Sequence, residues 1–203
     1  MNDPSAGSPR VFRHWMKRAW GRHVLRLPRR GAGTRISRRA RIEEAQNVYL
    51  GRGCRIDEHA FLSAPGPTRI ELGDGVEIRP YVFLETQGGG FIRVGARTAI
   101  NPFSLLYGFG GLTIGADCMI AGGAILVAAS HHAEDTSRPM IEQGSEGRGI
   151  EIGDDVWLGA GVRVLDGVRI GSGTIVGAGA VVTESLPGNS IAAGVPARVV
   201  RSR

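Results

Sequence analysis

From Val48 onward the chain keeps a beat of six. Six tetrapeptides share the pattern aliphatic-x-aliphatic-Gly: VYLG at 48–51, IELG at 70–73, IRVG at 92–95, LTIG at 112–115, IEIG at 150–153 and VRIG at 168–171. The third residue of each opens a series of aliphatic positions six apart: Leu50, Ile56, Leu62; Leu72, Ile78, Leu84; Val94, Ile100, Leu106; Ile114, Ile120, Leu126; Ile152, Leu158, Val164; Ile170, Val176, Val182. Four positions further on, a small or medium residue usually follows, among them Cys54, Ala60, Thr98, Ser104, Cys118, Ala124 and Ala180. Such a period fits neither an amphipathic helix nor simple alternation. It fits short strands joined by tight corners, each strand sending one large and one small side chain inward. The 32 glycines among 203 residues supply corner conformations that a Cβ resists. An ordinary β-sandwich has no reason to hold this register.

Three hexapeptides make one triangular coil, and coils stack at the inter-strand spacing of about 4.8 Å. The marker glycines are spaced 22, 22, 20, 38 and 18 residues apart. Everything beyond eighteen falls after the third hexapeptide of its coil, hence at one corner. The stretch SHHAEDTSRPMIEQGSEGRG (130–149) is then a loop, residues 131–149, thrown outward from a continuous prism. His131 and His132 stand at its mouth. A stacked prism has two ends whose strand edges need cover, and the closing PARVVRSR can lie across one of them.

Residues 1–46 read as a basic arm and 47–203 as the β-helix domain. The net charge of +6 is unevenly held, because twelve of the 25 Lys and Arg and only Asp3 among the acids lie in residues 1–41. Within the arm, residues 11–27 carry an amphipathic helical pattern. Phe12, Trp15, Met16, Ala19, Trp20, Val24 and Leu27 share one face, and Arg13, Lys17, Arg18, Arg22 and Arg26 avoid it. That apolar face can cap the first coil. Alternatively, residues 10–30 can lie on an anionic membrane surface. No recognised binding motif accompanies the charge, so nucleic acid is not expected. Two cysteines make neither a disulfide framework nor zinc spacing, and as Cys54 and Cys118 they occupy inward slots. No run approaches the length of a membrane span, and the start lacks a secretory apolar core. A cytoplasmic protein is expected.

The beat, the SHH loop and the segment IGDDVWLGAGVRVLDGVRIGSGTIVGAGAVVTESLPGNSIAAGVPARVVR together resemble the hexapeptide-repeat acyltransferases. The likeness is to the branch around maltose and galactoside O-acetyltransferases and polysaccharide-biosynthesis acetyltransferases, and it covers residue 47 to the end. It implies an all-β fold, a left-handed parallel β-helix of hexapeptide repeats. It also implies a homotrimer with active sites between subunits, and acetyl-CoA or another acyl-coenzyme A as donor.

Acyl transfer from a thioester to a hydroxyl needs a base for the proton of the attacking alcohol, and histidine, titrating near neutrality, suits that task. By the resemblance His131 is the catalytic base, with His132 its rival, and Asn101, thirty residues earlier in AINPFS, helps bind the acceptor. Glu134 and Asp135 are the nearby candidates to orient His131. Matching the closing segment puts Ala160, Ala178 and Thr183 along the pantetheine arm, and Arg198 and Arg201 at the coenzyme phosphates. Trp157 packs beside the cleft, as a donor contact or as cover for the core. One departure stands out: lysine often follows the threonine in the family, and here the residue is Glu184. A zinc carbonic anhydrase shares the repeat, but its site needs three converging histidines. No metal is expected, since outside the arm this chain has only His59, His131 and His132. The expected activity is O-acylation of a sugar or polysaccharide precursor. N-acylation of an amino-sugar nucleotide and a non-catalytic scaffold are the alternatives.

Overall fold

The computed structural model describes Leu27 and residues 30–203. Apart from Leu27 and Arg30, the amphipathic pattern of 11–27 and the stretch 10–30, for which capping and membrane contact were the alternatives, lie outside the described residues. Among the described residues, the hexapeptides form strands of two to four residues that pair in parallel with their counterparts one coil away, whereas Ser130–His131 with Ser145–Glu146 and Ser190–Ala193 with Arg198–Ser202 pair antiparallel. The coils stack into a left-handed parallel β-helix with three faces.

Face A carries Val48–Leu50, Arg69–Leu72, Phe91–Val94, Leu112–Ile114, Ile150–Ile152 and Arg169–Ile170. Face B runs from Arg35–Ile36 through Arg55–Ile56, Glu77–Ile78, Ala99–Ile100, Met119–Ile120, Trp157–Leu158 and Ile175–Val176 to Ser190–Ala193. Face C holds Arg41–Glu43, Phe61–Ser63, Phe83–Glu85, Leu105–Tyr107, Ile125–Val127, Arg163–Val164 and Val181–Val182. Register follows the beat, with Leu62 beside Leu84 and Leu84 beside Leu106. All eighteen beat residues are buried, none more than 5% exposed. At about 1.5–3 kcal/mol per buried aliphatic side chain, this column is the main stabilising contribution.

The marker glycines have a steric cause. They stack on one another where the chain turns from face A to face B, and a Cβ on Gly95 would sit 2.5 Å from the Ala116 nitrogen and the Gly115 carbonyl carbon. No side chain fits between coils there. The inward slots near this corner hold Thr34, Cys54, Thr98, Cys118 and Thr174, whose polar atoms bond to backbone. Thr98 Oγ1, for instance, donates to the Gly115 carbonyl at 2.8 Å and accepts from the Cys118 amide at 3.0 Å.

The β-helix starts earlier than residue 47. Arg30 bridges to Leu50, Arg35–Ile36 pairs with Arg55–Ile56, and Arg41–Glu43 pairs with Phe61–Ser63. Residues 30–46, assigned from sequence to the arm, thus form a coil of their own. Its marker glycine is Gly31, twenty residues before Gly51, but Arg30 occupies the aliphatic place in front of it. Ile36, Ala40 and Ile42 still point inward.

At the other end, Arg198–Ser202 folds back antiparallel on Ser190–Ala193 and closes face B, as the closing segment led one to expect. The outsides of the faces differ. Face A is charged, with Glu71 between Arg69 and Arg93, and Glu151 beside Arg169. Face C presents Phe61, Phe83, Leu105, Ile125 and Val181, half-buried and interrupted by Arg163.

Candidate active site

After Ile125–Val127 the chain leaves the corner between faces C and A, and it rejoins face A at Ile150. The excursion is an ordered flap. Ser130–His131 pairs antiparallel with Ser145–Glu146, and a 3-10 turn at Met140–Glu142 lies between them. Inside it, Gln143 accepts from the Asp135 amide at 3.1 Å and donates to the carbonyls of Asp135 at 2.7 Å and Arg138 at 3.0 Å. The returning arm is clamped by Asp166, whose side chain is 4% exposed. Its carboxylate accepts the backbone amides of Arg148 and Gly149 at 2.9 Å.

The hairpin register sets His131. Its ring is exposed, and Nδ1 lies 2.9 Å from Ser145 Oγ across the ladder. When Nδ1–H donates to that hydroxyl, Nε2 presents its lone pair outward, the tautomer a general base requires. Glu134 and Asp135, the sequence candidates for orienting His131, serve elsewhere. Glu134 accepts the Ala133 amide and stands 3.9 Å from His132, while Asp135 accepts the Ser137 amide and hydroxyl. These hydrogen bonds, more than any charge, hold both carboxyls below the usual carboxylate range. Ser145 and Asp166 were not singled out from the sequence. Fourteen and 35 residues from His131, they come near it only through hairpin pairing and coil stacking.

Asn101 ends its face B strand at the corner between faces B and C. Nδ2 donates to the Ile120 carbonyl at 2.9 Å, which fixes the amide and leaves Oδ1 as an acceptor for a hydroxyl. Ala160 and Ala178 stand on the same edge, one coil apart, with the Ala160 carbonyl accepting from Gly179 at 2.8 Å. Trp157 lies beside them on face B, 46% exposed, in register with Met119 and Ile175. It covers no core.

Thr183 is on the other edge, between faces C and A, below the flap's side of the prism. Arg198 and Arg201 lie on the closing strand, and Arg198 reaches Glu184 at 3.1 Å. One chain therefore does not bring its site residues together. His131 and Thr183 mark one edge of face C, and Asn101, Ala160 and Ala178 the other.

Cys54 and Cys118 are buried and donate to the carbonyls of Gly73 and Gly153, each at 3.1 Å. Burial pushes both thiols above their ordinary range. Among the described residues no three His, Cys, Asp or Glu converge as metal ligands, and no helix is long and apolar enough to cross a membrane.

Residues 149–184 match the family model described as bacterial transferase hexapeptide (six repeats). A solved hexapeptide-repeat-containing acetyltransferase of Vibrio cholerae O1 biovar eltor, complexed with acetyl coenzyme A, is 30% identical at a TM-score of 0.56, over 64% of this chain and 69% of its own. A galactoside acetyltransferase in complex with coenzyme A is 31% identical at a TM-score of 0.58, over 67% and 64%. A protein of Escherichia coli K12 named as a lipopolysaccharide biosynthesis O-acetyl transferase is 34% identical over 97 residues, 44% of this chain and 50% of its own length. The chain spans half or less of the length of the curated relatives it matches. With its repeats, its flap and these matches, the chain belongs to the hexapeptide-repeat transferases.

Proposed function

We propose that this protein transfers an acyl group, acetyl first among candidates, from acyl-coenzyme A to a hydroxyl of a sugar or polysaccharide precursor. His131 is the general base. The carrying observation is an exposed histidine whose Nδ1 lies 2.9 Å from Ser145 Oγ within an ordered flap. Bound coenzyme A or acetyl-CoA in two neighbours above 25% identity supports the donor. So does the fit: the edge's own residues at Ala160–Gly161 and Ala178–Gly179 are small, a Cβ on Gly179 would meet nothing within 4 Å, and the Arg163 guanidinium reaches only the Gly161 and Gly123 carbonyls. That leaves room for a slender arm. Arg198 and Arg201, exposed on the closing strand, supply cations for its phosphates.

Nε2 takes the proton of the acceptor hydroxyl as its oxygen attacks the thioester carbonyl. The carbon–sulfur bond then breaks, and the imidazolium returns the proton to the departing thiolate. The products are an ester and coenzyme A, and no acyl-enzyme is needed.

Separation of His131 and Asn101 on two edges of face C supports a homotrimer. With face C turned to a threefold axis, its apolar residues are covered, and one subunit's flap edge meets the Asn101 edge of the next. Acyl-coenzyme A as donor favours a cytoplasmic site of action, and the basic arm is suited to membrane contact or to capping the first coil.

The test is release of coenzyme A thiol from acetyl-CoA with a panel of sugars. General-base catalysis is typically worth about 10²–10⁴-fold, so His131→Ala should lose at least a hundredfold in kcat at unchanged trimer mass. A loss below tenfold means that another group is the base.

A further inference from the structure

A column of left-handed residues climbs the corner between faces B and C. It comprises His59, Tyr81, Phe103, Gly123, Gly161 and Gly179, with φ from 58° to 71°. From Tyr81 upward, each amide donates to the carbonyl of the residue just before its neighbour below: Tyr81 to Glu58, Phe103 to Pro80, Gly123 to Pro102, Gly161 to Gly122 and Gly179 to Ala160. The column changes character once. In its lower half three bulky rings adopt a conformation that glycine takes without strain and that such residues rarely visit. The rings stack nearly parallel, His59 on Tyr81 at 4.9 Å and Tyr81 on Phe103 at 5.2 Å, with interplanar angles of 11° and 8°. Above Phe103 there are only glycines.

The stack therefore ends on an uncovered ring. Phe103 is 68% exposed against 50% for Tyr81 beneath it. A Cβ on Gly123, the next position up, would have only the Gly161 nitrogen near it, at 4.0 Å. The space above the ring is one coil high, about 4.8 Å, enough for one more ring in van der Waals contact, and it is bordered by the Arg163 guanidinium, which donates to the Gly123 carbonyl at 3.4 Å. Asn101, two residues before Phe103, keeps Oδ1 as an acceptor while its Nδ2 is held by the Ile120 carbonyl. Directly above lie Ala160 and Gly161, where the donor arm is placed.

We propose that Phe103 is the stacking platform of the acceptor, taking the apolar C–H face of a pyranose ring as the fourth member of the stack. Resting on the acyl-transfer reading, this assigns that reading's acceptor subsite. The sugar ring fills the level of Gly123, held below by the phenyl face and laterally by Asn101 Oδ1, and its hydroxyl meets the thioester one coil higher. An acyclic polyol offers the same hydroxyls but no ring face.

Saturation-transfer NMR on the full chain tests binding without turnover, using methyl β-D-glucopyranoside, methyl β-D-galactopyranoside, sorbitol and, with coenzyme A saturating its own site, adenosine. At least one pyranoside should receive saturation on one ring face in the wild type and in His131→Ala, and sorbitol and adenosine should not. Phe103→Asn, which tolerates the left-handed backbone, should weaken that sugar's binding and raise its KM about tenfold, with KM for acetyl-CoA unchanged. Phe103→Tyr should restore both. Equal pyranoside signal in wild type and Phe103→Asn, no pyranoside signal in the wild type, or adenosine in place of the sugars overturns the proposal. A changed oligomeric mass in Phe103→Asn also overturns it, because a second copy then covers the ring. Absence of thiol release from wild type with every acceptor is a separate result, counting against acyl transfer and not against sugar stacking.

Discussion

Asp166 is where the flap is joined to the prism, and its replacement should loosen the flap without melting the fold. The side chain is almost fully covered, and its partners among the described residues are on the returning arm: the amides of Arg148 and Gly149 and, at 3.5 Å, the Arg148 guanidinium. In Asp166→Ala two amides lose a charged acceptor. Hydrogen bonds to ionised groups contribute about 1.5–3 kcal/mol each; Arg148 is exposed and regains water, so a net of about 2 kcal/mol is expected. That raises the population of the detached flap roughly thirtyfold. Hydrogen exchange read by mass spectrometry should show peptides within 130–149 exchanging about ten to thirty times faster, with the beat strands Leu105–Tyr107 and Arg163–Val164 unchanged. Thiol release should fall in parallel, because His131 keeps its tautomer only while Ser145 stays in register. Unchanged exchange in the flap would refute the reasoning, and faster exchange throughout the prism would make Asp166 a core residue instead of a clamp.

Three further substitutions or probes read other parts of the argument. Glu184→Gln should free Arg198 from its ion pair and tighten coenzyme A binding about two- to fivefold by calorimetry; the gain should vanish with a pantetheine fragment lacking the phosphates. Gly95→Ala drives a Cβ to 2.5 Å from backbone and should cost more than about 3 kcal/mol, seen as a large fall in Tm. Burial raises the Cys54 and Cys118 thiols, so little thiolate forms at pH 8, and a disulfide reagent should label neither until denaturant is added. Prompt labelling of the native protein would show that the inward slots open.

Much of the architecture was legible because the beat is a packing rule. Leu50, Ile56 and Leu62 are spaced as they are because a triangular coil has three inward places, and the same count put every length excess at one corner. The first coil escaped because Arg30 stands at the edge of the stack, where an aliphatic residue is not required, and composition then argued for a separate arm. The site was legible in kind and not in arrangement. His131 is marked by its place at the mouth of the flap. That it shares a coil edge with Thr183 and not with Asn101 depends on which corner each residue turns, and a linear spacing of thirty residues does not reveal it. Ser145, Asp166 and the open face of Phe103 depend on contacts across the hairpin or between coils, where spacing carries no period to read.

The backward run of Arg198–Ser202 changes the edge that face B presents. Parallel rungs in strict register are a template that another chain can continue, and a prism with a bare upper rung invites growth into a fibre. Reversing the last strand replaces that template with one of opposite polarity, carrying two arginines, on which no further coil can be laid in register.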